Sequence, residues 1–107
     1  MNLLRETRAV LREHGKNHND VIWVGRRSIN AVCSWGEFEK QAENIEYDDS
    51  YGIPEVPEDL VVVGVDWWLE RASYDGSEWW EYKTFPTLCA GNKTDLELKF
   101  GGFGNNE

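Results

Sequence analysis

The sequence predicts an α+β domain, in which two helices pack on an antiparallel sheet centred on a hairpin over residues 60–85. Three features predict it. An amphipathic stretch opens the chain at residues 2–14, and a capping box stands at 34–37. Two β-branched and aromatic runs are separated by Asp75-Gly76, which is a strong signal for a two-residue hairpin turn.

The first predicted element is an N-terminal helix over residues 2–14. Asn2 is a residue type that caps helix N-termini, and Gly15 stands where a glycine commonly ends a helix. Apolar residues and one threonine recur at spacings of three and four residues, and these positions are Leu3, Leu4, Thr7, Val10 and Leu11. Such a stripe predicts that one side of the helix faces the core.

A short strand is predicted at residues 21–24, ended by Gly25, while residues 26–32 fit no single element. Ser34 and Glu37 have the spacing of a capping box, which predicts a second helix from there to about residue 45. Its inward positions would be Trp35, Phe38, Ala42 and Ile45. The following stretch, 46–59, has turn chemistry and two prolines, which predicts a long connection.

The hairpin joins a strand over residues 60–71 to a second strand over 79–85. A two-residue turn pairs Ala72 with Trp79 and Glu70 with Glu81. The predicted core face then holds Val61, Val63, Val65, Trp67, Leu69, Trp80 and Tyr82, and the opposite face holds Asp66, Trp68, Glu70, Trp79 and Glu81. Two glutamates directly opposite each other are unfavourable. A three-residue loop would pair Arg71 with Glu81 instead and exchange the faces of Trp79 and Trp80, so both registers stay open.

Alternating apolar residues at 96–100 predict a last short strand. The chain has 107 residues, which is the length of one domain. We assign residues 1–100 to that domain and the glycine-rich residues 101–107 to a flexible C-terminal tail.

Composition narrows the class of protein. The chain carries 20 acidic and 11 basic residues and a formal net charge of −9, which argues against direct nucleic-acid binding through phosphates. The apolar run at 60–65 is far too short to span a membrane, and the N-terminus has no apolar signal-peptide core.

Cys33 and Cys89 are the only cysteines. We expect two thiols in a reducing cytoplasm, although spacing alone leaves a bridge between them open.

The charge is distributed unevenly. Residues 28–59 contain nine carboxylates and one cation, Lys40. A carboxylate-lined edge can imitate nucleic-acid phosphates and occupy a basic channel on another protein. It can equally be a solvated face that keeps the protein soluble. The nine carboxylates are Glu37, Glu39, Glu43, Glu46, Asp48, Asp49, Glu55, Glu58 and Asp59.

Tryptophan is unusually frequent, with six residues in the chain. Trp67 and Trp80 are predicted to be core residues, whereas Trp68 and Trp79 fall on the opposite face of the hairpin. An exposed tryptophan beside carboxylates is typical of an interface anchor or a sugar-stacking platform. The alternative is that another element covers this second face of the sheet, since tryptophan is highly buried on average.

Neither a metal site nor a catalytic site is predicted. His14 and His18 are four residues apart, but Gly15 should end the helix between them, and neither cysteine has a partner at short spacing. The chain has no G-x-S-x-G, H-E-x-x-H, P-loop or G-x-G-x-x-G pattern. We therefore expect no enzyme activity, no metal and no cofactor.

Three segments resemble small acidic proteins encoded by phages and prophages of Gram-positive bacteria, which are mostly uncharacterised. These segments are DLVVVGVDWWLERASYDGSEWWEYK at 59–83, LRETR at 4–8 and VIWVG at 21–25, whereas residues 26–34 depart from the pattern. The resemblance covers about half of the chain and offers no catalytic residues. It implies a bacterial host cytoplasm during infection or lysogeny, and an accessory role such as disabling a host defence enzyme.

The sequence therefore predicts a non-enzymatic protein-binding factor that occupies a basic nucleic-acid channel of a host protein, as an anti-CRISPR-like inhibitor of a defence nuclease would. Its expected binding residues are the nine carboxylates together with Trp68 and Trp79. Two alternatives stay open. One is a phage structural or assembly component that acts by self-association, and the other is a domain that binds a small ligand or a carbohydrate.

Overall fold

The computed structural model describes residues 1–47 and 56–86. It has an α+β fold, as predicted, with five antiparallel strands in one sheet and two helices on one of its faces. Along the sheet the strands lie in the order β2-β1-β3-β4-β5. The elements are α1 (Leu3–Glu13), β1 (Trp23–Arg26), β2 (Ala31–Cys33), α2 (Trp35–Ala42), β3 (Leu60–Val63), β4 (Trp67–Tyr74) and β5 (Ser77–Thr84).

Helix α1 begins and ends where the sequence predicts. The Asn2 side chain accepts a hydrogen bond from the backbone N–H of Arg5 and thereby caps the first turn. At the other end Gly15 has a φ of +73°, and the Lys16 N–H donates to the Leu11 carbonyl at 2.8 Å. A left-handed residue at this position satisfies carbonyls that the helix leaves open. The buried positions of the helix are Leu3, Leu4, Thr7 and Leu11.

The prediction that Gly25 ends the first strand is wrong, because β1 runs through it and pairs with β2. A side chain at Gly25 would place Cβ 2.5 Å from the Ala31 carbonyl oxygen and 2.9 Å from the indole of Trp23. Glycine is therefore needed inside this strand, where the neighbouring backbone and the Trp23 ring approach closely. The segment 26–32, for which no single element was predicted, contains the last residue of β1, a 3₁₀ turn (Arg27–Ile29) and the first two residues of β2.

Helix α2 starts with the predicted capping box. The Ser34 hydroxyl accepts from the Glu37 N–H at 3.2 Å, and the Glu37 carboxylate accepts from the Ser34 N–H at 3.1 Å. The two exchanged bonds satisfy donors that the first turn would otherwise leave unpaired. Phe38 and Ala42 are buried against the sheet, while Trp35 and Ile45 are partly buried beside them.

The prediction of one strand over residues 60–71 is wrong, because a turn at Val65 and Asp66 divides it into β3 and β4. Both turn residues are exposed, and Val65 is 82% exposed. The Gly64 N–H donates to the Trp67 carbonyl at 2.9 Å across this turn. Every residue before the turn is therefore offset by one from the predicted face, and Val62, not Val61 or Val63, shares the core face with Leu69.

The predicted two-residue turn between the last two strands is confirmed. Asp75 and Gly76 have φ values of 53° and 87°, and β4 and β5 pair in the register that sets Ala72 against Trp79. Left-handed conformations at both central residues are the geometry that a tight hairpin requires. The register that a three-residue loop would give is excluded.

The core lies between the helices and one face of the sheet. Its sheet members are Val24, Leu60, Val62, Trp67, Leu69 and Trp80, and its helical members are Leu3, Leu4, Leu11, Phe38 and Ala42. Trp67 and Trp80 are buried as predicted, and the Trp80 indole N–H donates to the Thr7 hydroxyl at 2.8 Å. This bond satisfies both polar groups inside the core.

Several predictions lie outside the described residues. They are the strand at 96–100, the tail at 101–107, Cys89, and the carboxylates Asp48, Asp49 and Glu55. Over residues 1–47 and 56–86, neither helix has the length and hydrophobicity needed to cross a membrane.

Candidate functional site

The face of the sheet opposite the two helices is called the open face below. Directly paired residues of antiparallel strands lie on the same face, so the register defines its members. One row consists of Trp23, Val63, Trp68 and Lys83. The next consists of Gly25, Val61, Glu70 and Glu81, and beyond it lie Ala72 and Trp79. Trp68 and Trp79 thus lie on the face that the sequence predicts for them.

Two carboxylates face each other at the centre of this surface, with an indole on each side. Glu70 is paired directly with Glu81 across β4 and β5. The Trp68 indole N–H donates to Glu70 at 2.8 Å, and the Trp79 indole N–H donates to Glu81 at 3.2 Å. The same motif, a tryptophan followed two residues later by a glutamate, therefore occurs on both strands.

The two tryptophans differ in exposure. Trp68 is half-buried and packs edge-on against Phe85, with ring centroids 5.3 Å apart. Trp79 is the more exposed, at 36%. Large aromatic side chains held at the surface with a polar atom engaged are typical of binding anchors.

The Glu81 carboxylate has a second partner. Lys83, two residues along the same strand, lies 3.2 Å from it. The Lys83 ammonium and the Trp79 indole N–H lower the pKa of Glu81 from its ordinary value. Glu81 therefore carries its charge at neutral pH, directly opposite the carboxylate of Glu70.

A groove of about 240 Å³ adjoins this centre on the β1 side. It is lined by two valines, two tryptophans and one charged residue of each sign, which are Val61, Val63, Trp23, Trp68, Arg27 and Glu70. A groove with this apolar and aromatic lining can hold a flat or amphipathic side chain. The sequence pattern did not single out Trp23, because its position inside a paired strand became clear only from the register.

Four of the predicted acidic residues have partners inside the fold. Glu37 belongs to the capping box, and Glu39 pairs with Arg8 of α1. Glu46 accepts from the Asn2 side chain at 2.7 Å. Asp59 accepts from Arg26 at 2.9 Å and from the Ser28 backbone N–H at 3.1 Å, and the Ser28 hydroxyl also donates to it.

These contacts give the four carboxylates structural roles. The hydrogen bond from the Ser28 hydroxyl, with the Arg26 guanidinium beside it, lowers the pKa of Asp59 to about 2. Glu43 and Glu58 are exposed, and within the described ranges no side-chain partner contacts either carboxylate. They remain candidates for contact with a partner, while Asp48, Asp49 and Glu55 fall outside those ranges.

A buried ionic network lies on the helix side of the sheet and was not predicted. Arg71 donates to Glu78 at 2.9 Å, to Glu6 at 3.3 Å and to the Tyr47 hydroxyl at 3.3 Å, and its guanidinium stacks over Trp80 at 4.8 Å. The Tyr47 hydroxyl also donates to Glu6. Burial, followed by this bond to Glu6, raises the pKa of Tyr47. The network joins α1 to β4 and β5, which is a structural role.

A cavity of about 320 Å³ lies between α2 and the β1–β2 edge. Its lining is mainly apolar and includes Leu3, Phe38, Ile45 and Leu60. Cys33, a free and partly exposed thiol, also lines it. Burial, with the Glu37 carboxylate nearby, raises the pKa of this thiol, which disfavours the thiolate needed for nucleophilic chemistry.

The two histidines form ring contacts. His14 stacks on Tyr82 with ring centroids 4.0 Å apart, and His18 lies 6.4 Å from Trp35. Over residues 1–47 and 56–86 no three side chains of histidine, cysteine, aspartate or glutamate converge on a common point.

Comparison of the chain with protein-family models, curated proteins and solved structures finds no match. A function must therefore be argued from the geometry of the surface. The open face is the strongest candidate, because it combines exposed indoles, apposed carboxylates and a groove.

Proposed function

We propose that this protein is a non-enzymatic protein-binding factor and that the open face is its binding surface. The observation that carries the proposal is the central arrangement of Glu70 opposite Glu81 with Trp68 and Trp79 on either side. An interface of this composition combines a large apolar contact area with charges that select the partner.

The chemistry of the surface favours a basic partner. Glu70 and Glu81 bring carboxylates to the centre of the open face, and Glu43 and Glu58 are exposed elsewhere. The formal net charge of −9 attracts a cationic surface over a longer range. Lys83 pairs with Glu81 and Arg27 lines the adjoining groove, so these two cations offset part of the negative charge at this centre.

The finer form of the proposal is that the partner is a host protein with a basic nucleic-acid channel, such as a defence nuclease. It is supported by the acidic composition and by the resemblance to phage and prophage proteins. On this proposal the protein acts in the bacterial cytoplasm, needs no cofactor and makes no direct contact with nucleic acid.

The experiment is an affinity capture from the lysate of a Gram-positive host with matched variants of the tagged protein. Trp68→Ala and Trp79→Ala should each reduce capture of a basic protein, whereas Val65→Ala, at an exposed apolar residue in the β3–β4 turn, should not. Capture should also fall steeply as salt is raised, because exposed charges are screened. Binding that is unchanged in high salt would contradict the channel-blocking form of the proposal.

Two other results would replace the proposal. Recovery of the protein alone, with a concentration-dependent oligomer in sedimentation, would indicate self-association. Quenching of tryptophan fluorescence by oligosaccharides or nucleotides, in the absence of a protein partner, would indicate a small-ligand site.

A further inference from the structure

The opposition of Glu70 and Glu81 is imposed by the fold. Asp75-Gly76 fixes the turn, and the core face of the same two strands holds Leu69 and Trp80. A shift of one residue would carry these core side chains to the open face, so the strands cannot slide to separate the glutamates. Two like charges directly opposite each other are destabilising, and this pair brings no compensating contact between its members.

The polar contacts around the pair leave it partly uncompensated. Glu70 Oε1 accepts from Trp68, Glu81 Oε2 accepts from Trp79, and Glu81 Oε1 lies against Lys83. Among the described residues nothing donates to Glu70 Oε2. One cation thus serves two carboxylates, and the indole N–H groups orient them without neutralising them.

A guanidinium group matches this arrangement better than an ammonium. It is planar, carries five N–H donors in a fixed fork, and stacks on aromatic faces while donating to carboxylates. The distance between directly paired side chains, about 5 Å, lets one guanidinium reach both glutamates. Arg27 lines the adjoining groove together with Val61, so a cation is disfavoured in the groove and favoured at the glutamates.

We propose that the centre of the open face binds an arginine side chain of the protein partner, held by Glu70 and Glu81 and flanked by the indoles of Trp68 and Trp79. This inference rests on the proposed function and names the chemical group that the surface recognises. It also gives a reason for the cross-strand glutamates, since the incoming cation relieves their repulsion.

The test uses N-acetyl-triarginine amide as the probe and follows the indole N–H signals of the full chain by NMR. The Trp68 and Trp79 signals should shift in a saturable way, while those of the buried Trp67 and Trp80 should stay in place. The tricitrulline peptide, which has nearly the same shape without charge, should leave all four unchanged. The trilysine peptide should bind more weakly than triarginine, because an ammonium lacks the planar fork.

Two matched double variants distinguish binding of triarginine at this site from general attraction of a cationic peptide to an acidic protein. Glu70→Gln/Glu81→Gln should weaken triarginine binding about tenfold or more, since it removes two charge-assisted contacts. Glu43→Gln/Glu58→Gln removes the same formal charge elsewhere and should change binding much less. Equal weakening by the two double variants, or equal binding of citrulline and arginine peptides, would overturn the inference.

Different results would contradict the arginine site and the proposed binding function. If triarginine shifts neither indole signal but Trp68→Ala and Trp79→Ala still abolish capture of a host protein, the arginine site is wrong and the binding surface stands. If these substitutions leave both peptide binding and capture unchanged, both are wrong.

Discussion

Glu70 lies directly opposite Glu81 at the centre of the open face, and each carboxylate accepts a hydrogen bond from an indole on its own strand. The repulsion between the two carboxylates destabilises the folded protein. In the proposed complex, however, both carboxylates would contribute to binding, because each contacts the arginine of the partner. Stability and binding are therefore expected to respond in opposite directions to the loss of one carboxylate.

Glu70→Gln is the first prediction. The amide oxygen can still accept from the Trp68 indole, while the like-charge contact disappears. The free energy of unfolding should rise by about 0.5 kcal/mol. Urea denaturation in low salt measures it, and the gain should shrink in high salt because screening already weakens the repulsion. Glu58→Gln, at an exposed residue outside the helices and strands, is the control and should have no comparable effect. A loss of stability in the Glu70 variant would contradict the prediction.

The second prediction concerns acid stability through Asp59. Its pKa of about 2 lies below the ordinary value of 3.8, so the folded state favours the carboxylate. The stabilisation is complete above pH 4 and is lost as the pH falls from about 4 to about 2. Asp59→Asn should flatten the decline of the urea midpoint in this window, whereas the adjacent Glu58→Gln should not. Parallel curves for the wild type and Asp59→Asn would show that the Arg26 and Ser28 contacts are not maintained in solution.

The third prediction tests the turn that divides residues 60–71. Alanine at Gly64 would place Cβ 2.1 Å from the Trp67 ring, which is incompatible with the observed packing. Gly64→Ala should reduce the free energy of unfolding by about 2 kcal/mol or more. Gly36→Ala is the matched control, because the nearest atom to its Cβ lies 3.9 Å away, and alanine in helix α2 should add up to about 1 kcal/mol. Equal effects at the two glycines would contradict the close approach of Trp67.

The fourth prediction compares a buried ion pair with an exposed one. Arg71→Met removes the buried guanidinium that donates to Glu78, Glu6 and the Tyr47 hydroxyl, and should cost about 3–5 kcal/mol. Arg8→Ala breaks the exposed contact with Glu39 and should cost about 1 kcal/mol or less. Chemical denaturation of both variants checks the comparison. A small effect at Arg71 would indicate that water enters the network.

Local sequence signals were sufficient to predict the fold wherever the structure of a segment depends only on its own residues. Asn2, Gly15, Ser34 and the Asp75-Gly76 turn all act as predicted. The β3–β4 turn was missed because Val65 is β-branched and continues the apolar run, which outweighed the turn-favouring residues Gly64 and Asp66 on either side of it. The hairpin bond between Gly64 and Trp67 instead depends on how the flanking strands pair.

The candidate site was predictable only in part. Alternation along β4 and β5 placed Trp68 and Trp79 on the correct face, because side chains alternate strictly along a strand. The partners of the acidic residues depend on contacts between distant segments, such as Glu39 with Arg8 and Asp59 with Arg26. Charge counting along the chain therefore grouped carboxylates that the fold uses for separate structural purposes.

The last prediction compares two adjacent tryptophans. Trp80 is buried, and its indole N–H donates a hydrogen bond to the Thr7 hydroxyl. Trp80→Ala should therefore lower the free energy of unfolding by about 3–5 kcal/mol. Trp79 lies on the open face and is 36% exposed, so Trp79→Ala should cost about 1 kcal/mol or less. The same variant should weaken binding to the partner by about 2 kcal/mol, the loss expected for an interface anchor. Thermal unfolding and a binding titration measure the two effects independently. If Trp79→Ala lost stability and kept its affinity, this side chain would belong to the packing of the protein, and the binding surface would have to lie elsewhere.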